Sequence, residues 1–350
     1  MDVYCAPPYG RREKVTMTIA AVGEFGLIRR IQDGLSKNSQ KATDLVLGIG
    51  DDAAVWRISE CADLLLTTDV MVEGTHFTRG TTPWEDLGWK SLAVNVSDIA
   101  AMGGIPRLAL LTLGLRGDEQ LSDIDAFLRG ATRCADQFAI VIAGGDTVRA
   151  DQMLVSWVVM GQALTLNSER VILRRDAARS GDLIAVTGWC GQSAAGLDAL
   201  LHQETVDNRL ISAHWHPIPR IAEAQWLLHR GVRCGIDTSD SIYDSLERIC
   251  ERSGVVAEIE TSRLPLSSLL QAYTAERASS YAIWGGEDYE LLVCLRPELY
   301  DGLRADWAET FSVPLTVIGR CLSSASAHTQ RVVIRDAPSA GSRFGHFGST

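Results

Sequence analysis

Five times along this chain an apolar run of strand character stops at, or starts from, a carboxylate. Asp51 and Asp52 follow "LGIG", Asp69 follows "LLLTT", and Asp146 follows "IVIAGG". Asp237 and Asp240 follow "RCGI", and Glu287 and Asp288 precede "YELLV". Between these runs lie segments of helical period, so the chain reads as alternating strands and helices, an α/β pattern. In such folds ligands gather at one end of the strands. The same pattern therefore brings many acids to one edge of a sheet. Two carboxylates about 4 Å apart repel by roughly 4 kcal/mol at an intermediate dielectric. A solvated turn avoids that cost, and a bound cation reverses its sign.

The helical segments carry their own signals. Phe25, Ile28, Ile31 and Leu35 recur at helical spacing in "GEFGLIRRIQDGL". "TPWEDLGWKSLAVNVSDIAAMGG" opens with Thr82 and Glu85 spaced as a capping box, with Pro83 at the first helical position. Its apolar stripe is Trp89, Leu92, Val96 and Ile99, while Ser91, Asn95 and Asp98 share a polar stripe. Strands are expected at 45–49, 63–70, 107–115, 138–146 and 153–163. The second half adds "LIAVTG", a helix in "QSAAGLDALL", a Pro-started helix before Gly231, and a helix from Ile242 closed by Gly254. "HWH" at 214–216 leads into Pro217 and reads as a loop. The polar, basic text around 165–180 marks a domain boundary, consistent with 350 residues being more than one core usually takes.

Composition narrows the partners. The net charge of −11 argues against a nucleic-acid groove or an anionic membrane surface. It leaves an anionic substrate open, because bound cations override the global sign locally. The eight cysteines form no C-x-x-C pair, which suits buried thiols in a reducing cytosol. No apolar stretch approaches the ~20 residues of a membrane span. Residues 1–22 lack the apolar core of a signal peptide and read as an N-terminal extension.

Each acid has an ordinary reading as well. A single Asp after a strand is usually a turn or cap residue, and Asp240 suits a cap for the helix from Ile242. Recurrence at successive strand ends favours a shared site. Oxygen ligands of this kind suit Mg²⁺, which takes a few carboxylates and keeps its other positions for water and phosphate. Thr67 and Thr68 beside Asp69 supply further oxygens. Gly144-Gly145 and Gly285-Gly286 either let backbone N–H groups approach a phosphate or form tight turns. No P-loop or protein-kinase motif set occurs, so a nucleotide must be held by metals and basic side chains, Arg174 and Arg175 among them. His76 has the common reading of a satisfied, buried histidine.

The ordered set "GEFGLI", "GIGDDAAV", "TTDVMVEGTHF", "KSLAVNVSDIAAMGG", "GGDT", "SAAGL", "IDTSD" and "GGEDYEL" resembles thiamine-monophosphate kinases, within the wider group of aminoimidazole ribonucleotide synthetase-like proteins. The resemblance runs from about Gly23 to beyond Leu291. It implies a two-domain PurM-like fold of the α/β class, with α+β mixed sheets. Residues 23–165 would form an ATP- and magnesium-binding domain that pairs in a homodimer to close a β-barrel, and residues 166–350 a C-terminal α/β domain. It implies phosphoryl transfer from ATP, as co-substrate, to thiamine phosphate, in the cytoplasm, by direct metal-assisted transfer with no catalytic side chain. By the same resemblance Asp52, Thr67, Thr68, Asp69, Asp98, Asp146, Asp237 and Asp240 would hold several Mg²⁺ ions. Gly145, Asp146, Arg175 and Ser239 would contact ATP, and His76, Glu287 and Phe344 the thiamine substrate.

Three departures stand out. Relatives read "SDGL" where this chain has Ser239-Asp240-Ser241-Ile242. "VRA" replaces their "TRG"-like text after "GGDT", and Phe344 and Phe347 stand where they often carry a tryptophan. A different small phosphorylated or carboxylated acceptor, or a nucleotide-binding paralogue without activity, are the alternatives these departures leave.

Overall fold

In a computed structural model, which describes residues 26–33, 35, 43–59, 62–324 and 330–338, the apolar runs pair into two six-stranded sheets. The first holds β1 (Leu45–Leu47), β2 (Ala54–Ser59), β3 (Ala62–Val72), β4 (Ile105–Leu115), β5 (Val141–Arg149) and β6 (Leu154–Gln162), in the order β1-β2-β3-β6-β4-β5. All its pairs are antiparallel except β4 with β5, which are joined through a helix as parallel neighbours require. The second sheet holds β9 (Leu183–Thr187), β10 (Cys234–Asp237), β11 (Val255–Glu260), β12 (Leu291–Leu295), β13 (Leu315–Ser323) and β14 (Val332–Arg335), in the order β10-β12-β9-β13-β11-β14. Between the sheets in sequence lies a hairpin of β7 (Leu164–Leu166) and β8 (Glu169–Val171), turned at Asn167 and Ser168 with positive φ. It occupies the stretch expected to separate two domains. Residues 42–342 make one compact unit, and residues 26–33, which lie outside it, are helical (α1).

Helices α2 (Trp84–Ala101) and α3 (Leu121–Gln137) join the first core, where Leu92, Val96, Ile99 and Phe127 meet Leu65, Val155 and Trp157. Other sheet side chains, Val70, Leu110, Val158 and Ile58 among them, stay exposed, as the period of 2 dictates. α2 is buried almost all round, which for a helix means that its polar side chains must find partners. The second sheet carries α4 (Gln192–His202), α5 (Asn208–Trp215), α6 (Ile221–His229), α7 (Ile242–Ser253), α8 (Ser268–Tyr273), α9 (Ala278–Trp284) and α10 (Pro297–Thr310). Cys134, Cys190, Cys234, Cys250, Cys294 and Cys321 are buried free thiols. Among the described residues no helix is long and apolar enough to cross a membrane.

Four local expectations change. The capping box of α2 does not form: Pro83 is the cap residue, with no side-chain cap bond, and Glu85 instead takes Arg133 at 2.8 Å. "HWH" is not a loop, since His214 and Trp215 complete α5 and only His216 lies past its end. The fifth strand starts at Val141 rather than 138, because Phe138 and Ile140 still bond back to Cys134 and Ala135 at the end of α3. It also runs through Gly144-Gly145, where a Cβ on Gly145 would stand 1.6 Å from the Leu111 carbonyl oxygen. That glycine is required by close pairing of β5 with β4.

Candidate active site

Asp52, Asp98 and Asp237 come together at the end of the strands. One oxygen of each lies within 4.8 Å of the others. Asp52 follows β1, Asp98 projects from the last turns of α2, and Asp237 ends β10, so both sheets contribute. Thr67 on β3 donates its hydroxyl to Asp98 Oδ2. Thr68, pointing to the other face, donates to the Trp157 carbonyl at 2.9 Å and leaves the group. Asp69 adjoins through its charge on Asp98, and its backbone N–H is fixed by Asn95 Oδ1 at 2.7 Å. Ser97 and Ser239 donate to the two oxygens of Asp237 at 2.7 and 2.9 Å.

The group is electrostatically loaded. Removal from water, then the charges of Asp69, Asp237 and Asp52, hold Asp98 well above the usual carboxylate range. Burial and the Asp52 charge push Asp237 up to about 7, against the two serine bonds and Arg175. Burial and Asp52 push Asp51 up to about 6. Arg175 answers part of this charge: its Nη2 and Nε donate to the two Asp52 oxygens at 2.5 and 3.2 Å, and its N–H donates to Asp51 at 3.2 Å. Three converging carboxylates with a threonine hydroxyl are the donor set of a hard divalent cation, so the residues present fit Mg²⁺.

Other expected site residues stand apart from these three. Gly145 and Asp146 lie on exposed β5, where Asp146 accepts a local bond from Thr147 N–H at 2.9 Å. Asp240 pairs with Arg248 on α7. It does not cap that helix. Ser241 does, accepting from Asp244 N–H at 2.9 Å. Ser241 has φ −171, an extended value open to any residue, so replacing the relatives' glycine does not distort the turn. Arg174 turns away to Asp176. Phe138 packs on Trp89 in the first core. Phe344 and Phe347 lie outside the described residues.

A second cluster borders the first. Glu287 has φ +65, and its N–H donates to the Ser239 carbonyl at 2.7 Å, two residues from Asp237. Gly286 before it has no space for a side chain: a Cβ would lie 2.0 Å from the Asp240 carbonyl oxygen. Partial removal from water works to raise Glu287, but Lys90, His214 and His76 outweigh it and hold the carboxyl below its ordinary value. His76 Nδ1 accepts the Val72 N–H at 3.0 Å, which fixes its ring. Tyr289 lies between the clusters, raised by burial and then by Glu287, Asp69, Asp237 and Asp98. Asp288 points the other way and caps α4, accepting from Gly191 and Ser193 N–H at 2.6 and 3.0 Å. Lys90 and Ser97 are missed from sequence alone, His214 falls in the stretch expected to be a loop, and Asp288 of the acid pattern turns out to be a helix cap. Lys90 and Ser97, seven apart on one stripe of a buried helix, were the available signal.

Comparison with known proteins identifies the family. Residues 50–163 match the family of AIR synthase related protein, N-terminal domain. Thiamine-monophosphate kinase of Aquifex aeolicus is 36% identical over 79% of this chain and 87% of its own length. That of Haemophilus influenzae is 38% identical over 86% and 89%. The structure of AaThiL complexed with AMPPCP and TMP has a TM-score of 0.81 at 31% identity, covering 95% of this chain and all of that one. At this identity over this much of the sequence, with a shared fold and the acids gathered at its strand ends, the chain belongs to the thiamine-monophosphate kinase family, whose members are kinases.

Proposed function

We propose that this enzyme transfers the γ-phosphoryl group of ATP directly to thiamine phosphate. A phosphate oxygen of thiamine phosphate attacks the γ-phosphorus in line, the bond to the β–γ bridging oxygen breaks, and ADP and thiamine diphosphate result. The convergence of Asp52, Asp98 and Asp237 is the observation that carries this reading. Mg²⁺ ions held by Asp52, Thr67, Asp69, Asp98 and Asp237 would offset the charge of the two polyanions and align them. The attacking oxygen is already anionic at neutral pH, so no side chain need take a proton.

In this proposal residues 23–165 and 166–350 each supply part of the site. Ser97 and Ser239 keep both Asp237 oxygens oriented, and Asn95 holds the Asp69 backbone. Asp146 and Asp240, which stand apart from the three acids, would extend the metal set on binding, while Thr68 faces away from it. Gly145, Asp146, Arg175 and Ser239 take ATP. His76 and Glu287 face the acceptor, and the resemblance adds Phe344, which lies outside the described residues. The AMPPCP and TMP held by AaThiL support this choice of substrates. The open apolar surface of the first sheet, including Val70, Leu110 and Val158, supports pairing of two copies there.

ADP release measured with ATP, Mg²⁺ and thiamine phosphate tests the reading. Turnover is expected with thiamine phosphate, and Asp98→Asn is expected to lower it at least ~100-fold with the fold retained, in line with loss of a transition-state charge contact. Turnover on another phosphorylated acceptor alone, or near-normal Asp98→Asn at saturating Mg²⁺, would overturn it.

A further inference from the structure

Lys90 sits in the middle of α2 with only 1% of its side chain exposed. A lysine so placed needs partners. Its Nζ lies 3.2 Å from Glu287 Oε1 and 3.2 Å from His214 Nε2. The other ring nitrogen of His214 faces Ser193 Oγ at 3.1 Å and Glu287 Oε2 at 3.4 Å. The tautomer that satisfies the set carries hydrogen on Nδ1 and accepts the lysine at Nε2. His214 is neutral in this setting, because burial and then the Lys90 charge pull it down to about 3. Both oxygens of Glu287 are thus engaged from behind.

The pair is lopsided in a way that a purely structural ion pair is not. Lys90 is closed off, while Glu287 keeps 29% of its side chain exposed. Glu287 stands on a loop tied by its backbone to the residue whose hydroxyl holds Asp237. Burying a lysine at such a place costs stability that a well-packed apolar side chain would not. The gain is a carboxylate whose direction is fixed beside the acid cluster.

We propose that Lys90 is a positioning residue for acceptor recognition: with His214 it holds the Glu287 carboxylate, as an anion, against the edge of the acid cluster, where it receives the cationic or amino-substituted ring of a phosphate monoester. The inference rests on the reading of Glu287 as an acceptor contact given above. The titratable groups bearing on Glu287 are Lys90 from α2, His214 from α5, His76 from the loop after β3, and Tyr289 two residues on. Of these, Lys90 exerts the largest charge effect holding the carboxyl low. Without it, the partial burial of Glu287 acts with less opposition, and the carboxyl takes up a proton at higher pH.

The test uses Lys90→Met, Lys90→Gln, Glu287→Gln and the double variant Lys90→Met/Glu287→Gln in the full chain. Lys90→Met is expected to raise KM for thiamine phosphate roughly tenfold near about pH 6 and less near about pH 8, with KM for ATP within about twofold of the parent. The double variant is expected to be no worse than Glu287→Gln and to lose that pH dependence. The second ionisation of the acceptor's own phosphate is common to all variants and cancels in their ratios. Carbon-13 NMR of the Glu287 carboxyl, assigned by its loss in Glu287→Gln, reads the same point without turnover: it should titrate at higher pH once Lys90 is gone. An equal rise in both KM values at every pH, additive effects in the double variant, or an unmoved carboxyl titration would overturn the proposal. So would failure of both Lys90 variants to fold, which assigns the lysine to the core alone. Should the parent not turn over thiamine phosphate, the functional reading falls, while the carboxyl titration still decides whether Lys90 governs Glu287.

Discussion

Ser97 Oγ donates to Asp237 Oδ2 at 2.7 Å, a bond that joins the central helix of the first sheet to the edge strand of the second across 140 residues. Ser97 is buried, as is Asp237, so no water replaces the donor when it is removed. Ser97→Ala is expected to cost about 1–3 kcal/mol, the penalty for a buried acceptor left without its partner. It should also raise the Mg²⁺ concentration needed for half-maximal ADP release, because Asp237 loses its orientation. Ser97→Thr, which keeps the hydroxyl, should recover much of both. Thermal melting and a Mg²⁺ titration read the two effects separately; unchanged Mg²⁺ dependence in Ser97→Ala would remove the orienting role.

Arg175 is the second measurable support. It holds Asp52 through two hydrogen bonds and its guanidinium is buried. Removing one partner of a buried pair commonly costs about 3–5 kcal/mol, because the other charge is left uncompensated. Arg175→Met should therefore unfold at a distinctly lower denaturant midpoint without metal. Added Mg²⁺ should return more stability to this variant than to the parent, since it supplies the missing positive charge. Equal gains in both proteins would mean that Arg175 and the cation do not answer the same acids.

The acids at the site were legible because Asp52 and Asp237 stand where an apolar run stops and Asp98 falls on the polar stripe of its helix, both visible in a short window. Asp52, Asp98 and Asp237 meet as that pattern suggests. Asp146 has the same local signature yet sits inside an exposed strand, because close pairing with Leu111 carries β5 through the two glycines. What supports the acids was not legible. Lys90 finds His214 over 124 residues and Ser97 finds Asp237 over 140, and nothing near either residue in sequence names the partner. Most strands of both sheets followed from hydrophobic runs, whereas β2 and β11 were not read from the sequence, and β14 and the short helices α8 and α9 are too brief to carry a period of their own. The capping box of α2 failed for a related reason: its glutamate was taken by Arg133, 48 residues on.

Ser241 offers a clean separation of stability from recognition. Its hydroxyl accepts from Asp244 N–H at the start of α7 and its backbone is extended. Ser241→Ala is expected to cost about 1 kcal/mol and Ser241→Gly only a few tenths, as for other helix caps. Both should leave the KM for thiamine phosphate within twofold or so of the parent, because the side chain faces the helix. A change of acceptor preference in Ser241→Gly would instead revive a specificity role for this position.

Asp288 gives the pH dependence its clearest sign. Burial raises its carboxyl to about 7 against the helix amides that it caps, and Glu290 adds to the rise. In the unfolded chain the same group ionises near about 4. Between these values the folded protein holds a proton that the unfolded chain has released. The proton-bound form thus favours folding at low pH, and this contribution is lost as pH rises towards about 7. Asp288→Asn keeps one oxygen to accept from either Gly191 or Ser193, a loss of one bond that is the same at every pH, and removes the ionisation. Urea unfolding at about pH 5.5 and about pH 8 should show the parent losing stability relative to Asp288→Asn as pH rises, by on the order of 1–3 kcal/mol for a buried acid. A difference between the two proteins that stays constant across that range would mean that Asp288 is ionised throughout, as a helix cap in water would be.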